Sequence, residues 1–96
     1  MDQALVEEIR ERLDEFTATE RRAAQALLAN FPLLGLQTVA QFADAAGVSS
    51  PTILRFVARL GFPGFPEFQR RLKSELENQL KAPLARDPAL PTGDTG

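Results

Sequence analysis

The chain has 96 residues, 44% of them apolar and 25% charged, which fits one small globular domain better than a disordered segment. It contains no cysteine and no histidine, which excludes disulfides, thiolate metal sites and the imidazole used in most acid–base catalysis. The net charge of −2 argues against non-specific polyanion binding by the chain as a whole.

The N-terminal residues 1–16 are acidic and amphipathic, so they do not resemble a secretory signal peptide. No apolar run approaches the length of a membrane span. The carboxylates are scattered, and no catalytic constellation is visible. We therefore expect a cytoplasmic protein that is not an enzyme and needs no cofactor or metal.

Positive charge is concentrated in one segment. Residues 1–48 hold eight acids and four bases, whereas residues 49–73 hold five bases and a single acid, Glu67. A local surface for an acidic partner is therefore compatible with the acidic total.

Hydrophobic spacing predicts helices almost throughout and gives no strand signal. The first helix is amphipathic, with apolar residues three to four apart at Leu5, Ile9, Leu13 and Phe16. A capping box formed by Thr17 and Glu20 opens the second helix. That helix is expected to end near Asn30, because Pro32 cannot continue it.

The middle of the chain contains two short helices joined by a glycine. A second capping box begins at Thr38, and its helix ends at Gly47, where a glycine can adopt left-handed backbone angles. Ser49 caps the next helix, and Pro51 lies in its first turn, where a missing N–H costs little. This helix is expected to end at Gly61.

The last helix begins at Pro66 and carries apolar residues four apart, at Phe68, Leu72, Leu76 and Leu80. Residues 81–96 are proline-rich and aperiodic, which predicts a linker or a disordered tail. The fold expected for residues 1–80 is therefore all-α: a small bundle of about five helices containing a helix-turn-helix at about residues 39–60.

The second helix of the motif has two different faces. An apolar stripe is expected to pack on the domain: Ile53, Phe56, Val57 and Leu60. The other face is small, polar or basic and carries no acid. In a helix-turn-helix this helix lies in the major groove of DNA with its N-terminal residues nearest the bases. The candidate DNA-binding residues are Thr38, Ser49, Ser50, Pro51, Thr52, Arg55 and Arg59.

Each candidate suits a different part of DNA. Arg55 can bind a guanine through two hydrogen bonds, whereas Arg59, one turn later, is placed for a phosphate. The helix starts at Thr38 and Ser49 offer backbone N–H groups to phosphates. Short hydroxyl side chains fit near a phosphate or a base edge, as in Ser50 and Thr52. Leu54 suits a thymine methyl group.

The segment from Thr38 to Leu72 resembles the N-terminal domain of the RpiR/MurR family of bacterial transcriptional regulators. The residues that carry this resemblance are Ala43, Ala46-Gly47-Val48-Ser49, Thr52, Arg55-Phe56, Leu60-Gly61-Phe62, Gly64-Phe65 and Phe68. Upstream, residues 16–20 are similar to a Leu-Thr-x-x-Glu segment of the family, with Phe16 as the departure. Ala58 stands where the family commonly has a basic residue.

The resemblance implies a homodimer that binds double-stranded DNA in the major groove and controls carbohydrate or phosphosugar metabolism genes. It also implies a C-terminal sugar-isomerase (SIS) domain that binds a phosphosugar effector. The chain ends in the proline-rich stretch where a linker to that domain would begin. We therefore expect the SIS domain to be absent here, and no residue is assigned to an effector.

Several features have two interpretations. Arg70, Arg71 and Lys73 are candidate phosphate contacts or a solvated helix face. Arg21 and Arg22 are expected to be solvated, with the DNA backbone as the alternative. Three aromatic residues near the tight turn also have two interpretations: Phe62, Phe65 and Phe68. One is a stacking surface for single-stranded nucleic acid, and the preferred one is packing under the turn. The leucines of the last helix fit a core or a dimer seam.

The leading hypothesis is sequence-specific binding of double-stranded DNA by a transcriptional regulator. The alternative is a helical dimerisation or protein-interaction module that does not contact DNA. The net charge of −2 and the acidic first helix favour that alternative slightly.

Overall fold

The computed structural model describes the backbone of residues 4–86 and the side chains of residues 4–78. Its α-helices are α1 (Leu5–Glu11), α2 (Ala18–Ala29), α3 (Val39–Ala46), α4 (Ser50–Arg59) and α5 (Phe65–Arg86). Short 3₁₀ helices occur at Leu13–Glu15 and Leu33–Leu36. No strand occurs within residues 4–86, and the expected all-α bundle is confirmed.

The first helix is shorter than its apolar spacing predicted. α1 ends at Glu11, and a 3₁₀ turn at Leu13–Glu15 leads to an extended backbone at Phe16. The break allows Phe16, which is 3% exposed, to enter the core edge-on to Phe56, with ring centroids 5.4 Å apart. The expectation of one continuous helix from Leu5 to Phe16 was therefore wrong, although the burial of Phe16 was right.

Helices α2, α3 and α4 pack on one another, and aromatic rings from α3, α4 and α5 meet in the core. Phe56 of α4 is edge-on to Phe42 at 6.2 Å and to Phe68 at 6.3 Å between ring centroids. Phe68 also contacts Phe62 at 5.8 Å and Phe65 at 5.5 Å. These contacts confirm that the phenylalanines after α4 pack into the domain.

Helix α5 crosses the bundle and contacts the 3₁₀ turn, α1 and α4. Leu72 is fully buried and Leu76 is half-buried, so the first of these leucines belongs to the core. The Leu80 side chain lies outside the described residues. α5 continues to Arg86, so residues 81–86 are helical although a linker was expected there; Pro83 removes one backbone donor without ending the helix. The rest of that expected linker lies outside the described residues.

Gly35 lies in the 3₁₀ turn under α5 and is buried. The Gln69 side chain donates hydrogen bonds to the carbonyl oxygens of Gly35 at 3.2 Å and Gln37 at 2.8 Å. The described helices include none that is long and apolar enough to span a bilayer.

We predict that Gly35→Ala destabilises the domain by about 1–2 kcal/mol, because its Cβ would collide with a methyl group of Leu72. The added atom would also lie 3.1 Å from Leu27 Cδ1 and 3.2 Å from Phe68 Cε2. Urea denaturation measures the loss. In a Leu72→Ala background the cost of Gly35→Ala should shrink, and an equal cost in both backgrounds would contradict this packing.

Candidate nucleic-acid interface

The turn between α3 and α4 is fixed by backbone geometry. Gly47 has a φ of 73°, in the left-handed region that glycine adopts without strain. The Val48 N–H donates to the Ala43 carbonyl at 3.0 Å, which completes a Schellman motif. The Ser49 hydroxyl then accepts the Thr52 N–H at 3.3 Å and caps α4. These local bonds set the direction in which α4 leaves the turn, as the sequence predicted.

The start of α3 is fixed in a similar way. The Thr38 hydroxyl accepts the Gln41 N–H at 3.1 Å, and the Gln41 side chain accepts the Thr38 N–H at 3.1 Å. Both halves of the expected capping box are therefore present. Thr38 itself remains exposed.

Helix α4 has the two faces that its sequence predicted, with one exception. The apolar stripe is buried, at 0–5% exposure: Ile53, Phe56, Val57 and Leu60. Ser50 is half-buried, and Pro51, Arg55 and Arg59 are exposed. Thr52, expected on the exposed face, is only 3% exposed, because it lies one turn before Phe56 on the edge of the buried stripe.

The buried Thr52 hydroxyl links the helix cap to Arg55. It lies 3.0 Å from the Ser49 hydroxyl and accepts a hydrogen bond from Arg55 Nη2 at 3.1 Å. The Arg55 side chain is nevertheless 60% exposed. One nitrogen of this guanidinium is therefore held by the protein while most of the side chain faces solvent.

Arg59 is held by a carboxylate from another helix. Arg59 Nε donates to Glu20 Oε1 at 2.6 Å and Nη2 donates to Oε2 at 3.4 Å. Arg55 Nε lies 3.9 Å from the same Oε2. The Glu20 side chain is 1% exposed, whereas the Arg59 side chain is 43% exposed. One edge of Arg59, predicted to contact a phosphate, is thus already occupied by Glu20.

Glu20 remains ionised despite its burial. Burial alone would raise the pKa of Glu20, but the hydrogen bonds from Arg59 and the Thr17 backbone, with the charges of Arg59 and Arg55, outweigh it. The net result is a pKa below the ordinary value of 4.5. The hydrogen bond to Glu20 in turn raises the pKa of Arg59. The pair is therefore charged at neutral pH.

Other arginines stabilise the ends of helices. Arg12 Nη1 donates to the carbonyl oxygen of Arg59 at 2.9 Å, at the C-terminal end of α4. Arg22 donates to the Gly47 carbonyl at 3.3 Å. Arg21 is half-buried and donates to backbone carbonyls, so the expectation that it is solvated was wrong. The alternative in which it binds the DNA backbone is disfavoured by the same bonds.

Arg70, Arg71 and Lys73, the three bases in the first half of α5, differ in their surroundings. Arg71 is 30% exposed and donates to Glu8 at 2.6 Å and to Glu75 at 2.7 Å. Burial lowers the pKa of Arg71, but these hydrogen bonds outweigh burial and raise it. Arg70 is 69% exposed and lies 3.2 Å from Glu67, while Lys73 is exposed. Arg71 therefore joins α1 to α5, and the two remaining bases keep exposed side chains.

Glu20 is the residue of this site that sequence reasoning missed. The capping-box pattern identified its bond to Thr17, which the structure confirms at 3.1 Å. No local pattern connects Glu20 with Arg59, because 39 residues separate them. Among the described residues, no group of acidic side chains could hold a metal ion.

We predict that the stability of the wild-type domain falls more steeply with decreasing pH than the stability of Glu20→Gln. The glutamine keeps a capping acceptor but cannot ionise. Because the folded pKa of Glu20 is lowered, its contribution is full above pH 4.5 and is lost as the pH falls through the folded value. Thermal unfolding of both proteins from about pH 7 to about pH 3 measures this. A difference in Tm that does not change with pH would contradict the prediction.

Comparison with known proteins identifies the domain. The helix-turn-helix domain of the rpiR family matches residues 3–79. The chain is 39% identical over 72 residues to the HTH-type transcriptional regulator HexR of Pseudomonas aeruginosa, covering 75% of this chain and 25% of that protein. It is 32% identical over 74 residues to HexR of Escherichia coli, covering 77% and 26%.

A further relative is the bifunctional protein glk of Paraburkholderia xenovorans, 34% identical over 73 residues and covering 76% of this chain and 11% of that protein. The chain thus matches about a quarter of the length of the two HexR proteins. Since the family match includes α1 to α4 and most of α5, this chain belongs to the rpiR family of helix-turn-helix domains.

Proposed function

We propose that this domain binds double-stranded DNA as part of a transcriptional regulator, with α4 in the major groove. The observation that carries the proposal is the outward face of α4, where exposed Arg55 lies on a helix without acidic residues. Family membership supports it, because relatives in this family are named transcriptional regulators. A capped helix with an exposed face and a partly held arginine is suited to base recognition.

In this proposal Arg55 binds a guanine, because its exposed guanidinium can donate two hydrogen bonds to one base. Leu54, which is 47% exposed, contacts a thymine methyl group. Pro51 is exposed in the first turn of α4, and the half-buried Ser50 lies beside it, where the DNA surface comes close. Thr52 acts through Arg55, because its buried hydroxyl is already used by Ser49 and Arg55.

Phosphate contacts in this proposal surround the groove. The starts of α3 and α4, at Thr38 and Ser49, present backbone N–H groups to phosphates. Arg59 uses the part of its guanidinium that Glu20 leaves exposed. On α5, Arg70 and Lys73 are the candidate phosphate contacts. Arg71 is not among them, because its charge is already balanced by Glu8 and Glu75.

We further propose that the regulator acts as a homodimer in the bacterial cytoplasm. Two-fold symmetry would then place half-sites about 34–36 Å apart, or a multiple of that distance. The family resemblance supports carbohydrate or phosphosugar metabolism genes as targets and a phosphosugar effector. Such an effector would bind a SIS domain outside the residues matched here.

The second candidate function is a helical protein-interaction module without DNA contact. The acidic face of α1 favours it, because exposed Glu7, Arg10 and Glu11 give this face an excess of negative charge. A gel shift at several salt concentrations separates the two functions, since DNA binding weakens steeply as salt is added. Absence of binding to any duplex at low salt would favour the interaction module.

We predict that Arg55→Ala weakens binding to a duplex selected from a random pool by about 1–3 kcal/mol, because the guanine contact is lost. Discrimination at one position of the half-site should disappear, while non-specific binding should fall only through the loss of one positive charge. Lys73→Ala is the matched control: it should weaken binding uniformly across sequences and reduce the salt slope by about 1. Unchanged discrimination in Arg55→Ala would show that Arg55 does not contact a base.

A further inference from the structure

We propose that Glu20 is a positioning residue for DNA recognition, whose buried carboxylate holds Arg59 and orients Arg55 before DNA binds. This inference rests on the proposed function of α4. It assigns a role in sequence discrimination to a residue of α2 that does not itself face the groove.

The first support is the geometry of the carboxylate. Both Glu20 oxygens are directed at arginines of α4, with Oε1 at 2.6 Å from Arg59 Nε and Oε2 at 3.9 Å from Arg55 Nε. Its side chain is 1% exposed, so water competes little for these oxygens. A second bond from the Thr17 N–H to Oε1 fixes the carboxylate at the start of α2.

The second support is the state of Arg55. Thr52 holds its Nη2 from one side and the Glu20 charge attracts its Nε from the other. The guanidinium carries five N–H donors, so these two interactions leave donors for an outside acceptor. Fixing a long side chain before binding reduces the entropy lost when the complex forms. The Arg55 side chain is therefore held, before DNA binds, in one orientation from which it can contact a base.

The third support is the charge balance of the face. The negative charge of Glu20 partly cancels the positive charges of Arg55 and Arg59. This weakens the attraction of the face to DNA phosphates, whatever the base sequence. Glu20 also orders the arginine that contacts a base. Only the ordering of Arg55 raises the ratio of specific to non-specific binding, whereas the charge effect acts on every sequence. A purely structural residue would change both kinds of binding together.

The test measures this specificity ratio with the selected duplex, a scrambled duplex and duplexes substituted at each guanine. Glu20→Gln should lower the ratio roughly two- to tenfold through the lost ordering of Arg55. Non-specific affinity should stay equal or rise, because one negative charge is removed. In an Arg55→Ala background Glu20→Gln should have no further effect on discrimination.

The matched control is Glu67→Gln, which also removes one acid beside an arginine, Arg70, but on the exposed surface of α5. It should leave the ratio unchanged. Glu20→Asp is a second variant that keeps the charge but shortens the reach to Arg59, so it should lower the ratio without raising non-specific affinity. Circular dichroism establishes that each variant is folded.

Three results would overturn the proposal while leaving DNA binding intact. These are an unchanged ratio in folded Glu20→Gln, an undiminished effect of Glu20→Gln in the Arg55→Ala background, and failure of both Glu20 variants to fold. The last result would assign Glu20 to the fold alone. A wild-type domain that binds no duplex would overturn the proposed function and this proposal together.

Discussion

The hydrogen bond from Arg59 to the buried Glu20 carboxylate joins α2 to α4, the helix whose exposed face carries Arg55. A carboxylate at 1% exposure needs a charged partner, because an unpaired buried charge is strongly destabilising. α4 must therefore lie where Arg59 can reach α2. Arg12 adds a hydrogen bond to the backbone carbonyl of Arg59, the last residue of α4. The orientation of the exposed face of α4 therefore depends on the buried carboxylate of Glu20.

Local backbone chemistry supplies the second constraint. The capped starts of α3 and α4 and the left-handed Gly47 fix the angle between these helices without help from distant residues. The aromatic cluster around Phe56 then fixes their separation. Three kinds of interaction thus act on α4: caps at its start, rings along its buried face and an ion pair near its end.

The sequence predicted those features that depend on neighbours along the chain. Caps, the glycine turn and the buried stripe of α4 are visible at spacings of three and four residues. The break in α1 at Arg12 was not predicted, because the apolar spacing continues through it to Phe16. The pairing of Glu20 with Arg59 and the burial of Thr52 depend on how α2 packs on α4, and no periodicity records that packing.

Hydrogen exchange at the arginine Nε–H groups of the free domain, followed by NMR, measures whether Glu20 holds Arg59 in solution. We expect a slowly exchanging Nε–H for Arg59, which donates to a carboxylate at 2.6 Å, and fast exchange for Arg70, which is 69% exposed. Glu20→Gln should remove the protection at Arg59. Exchange at Arg59 as fast as at Arg70 in the wild-type domain would show that Glu20 does not hold Arg59.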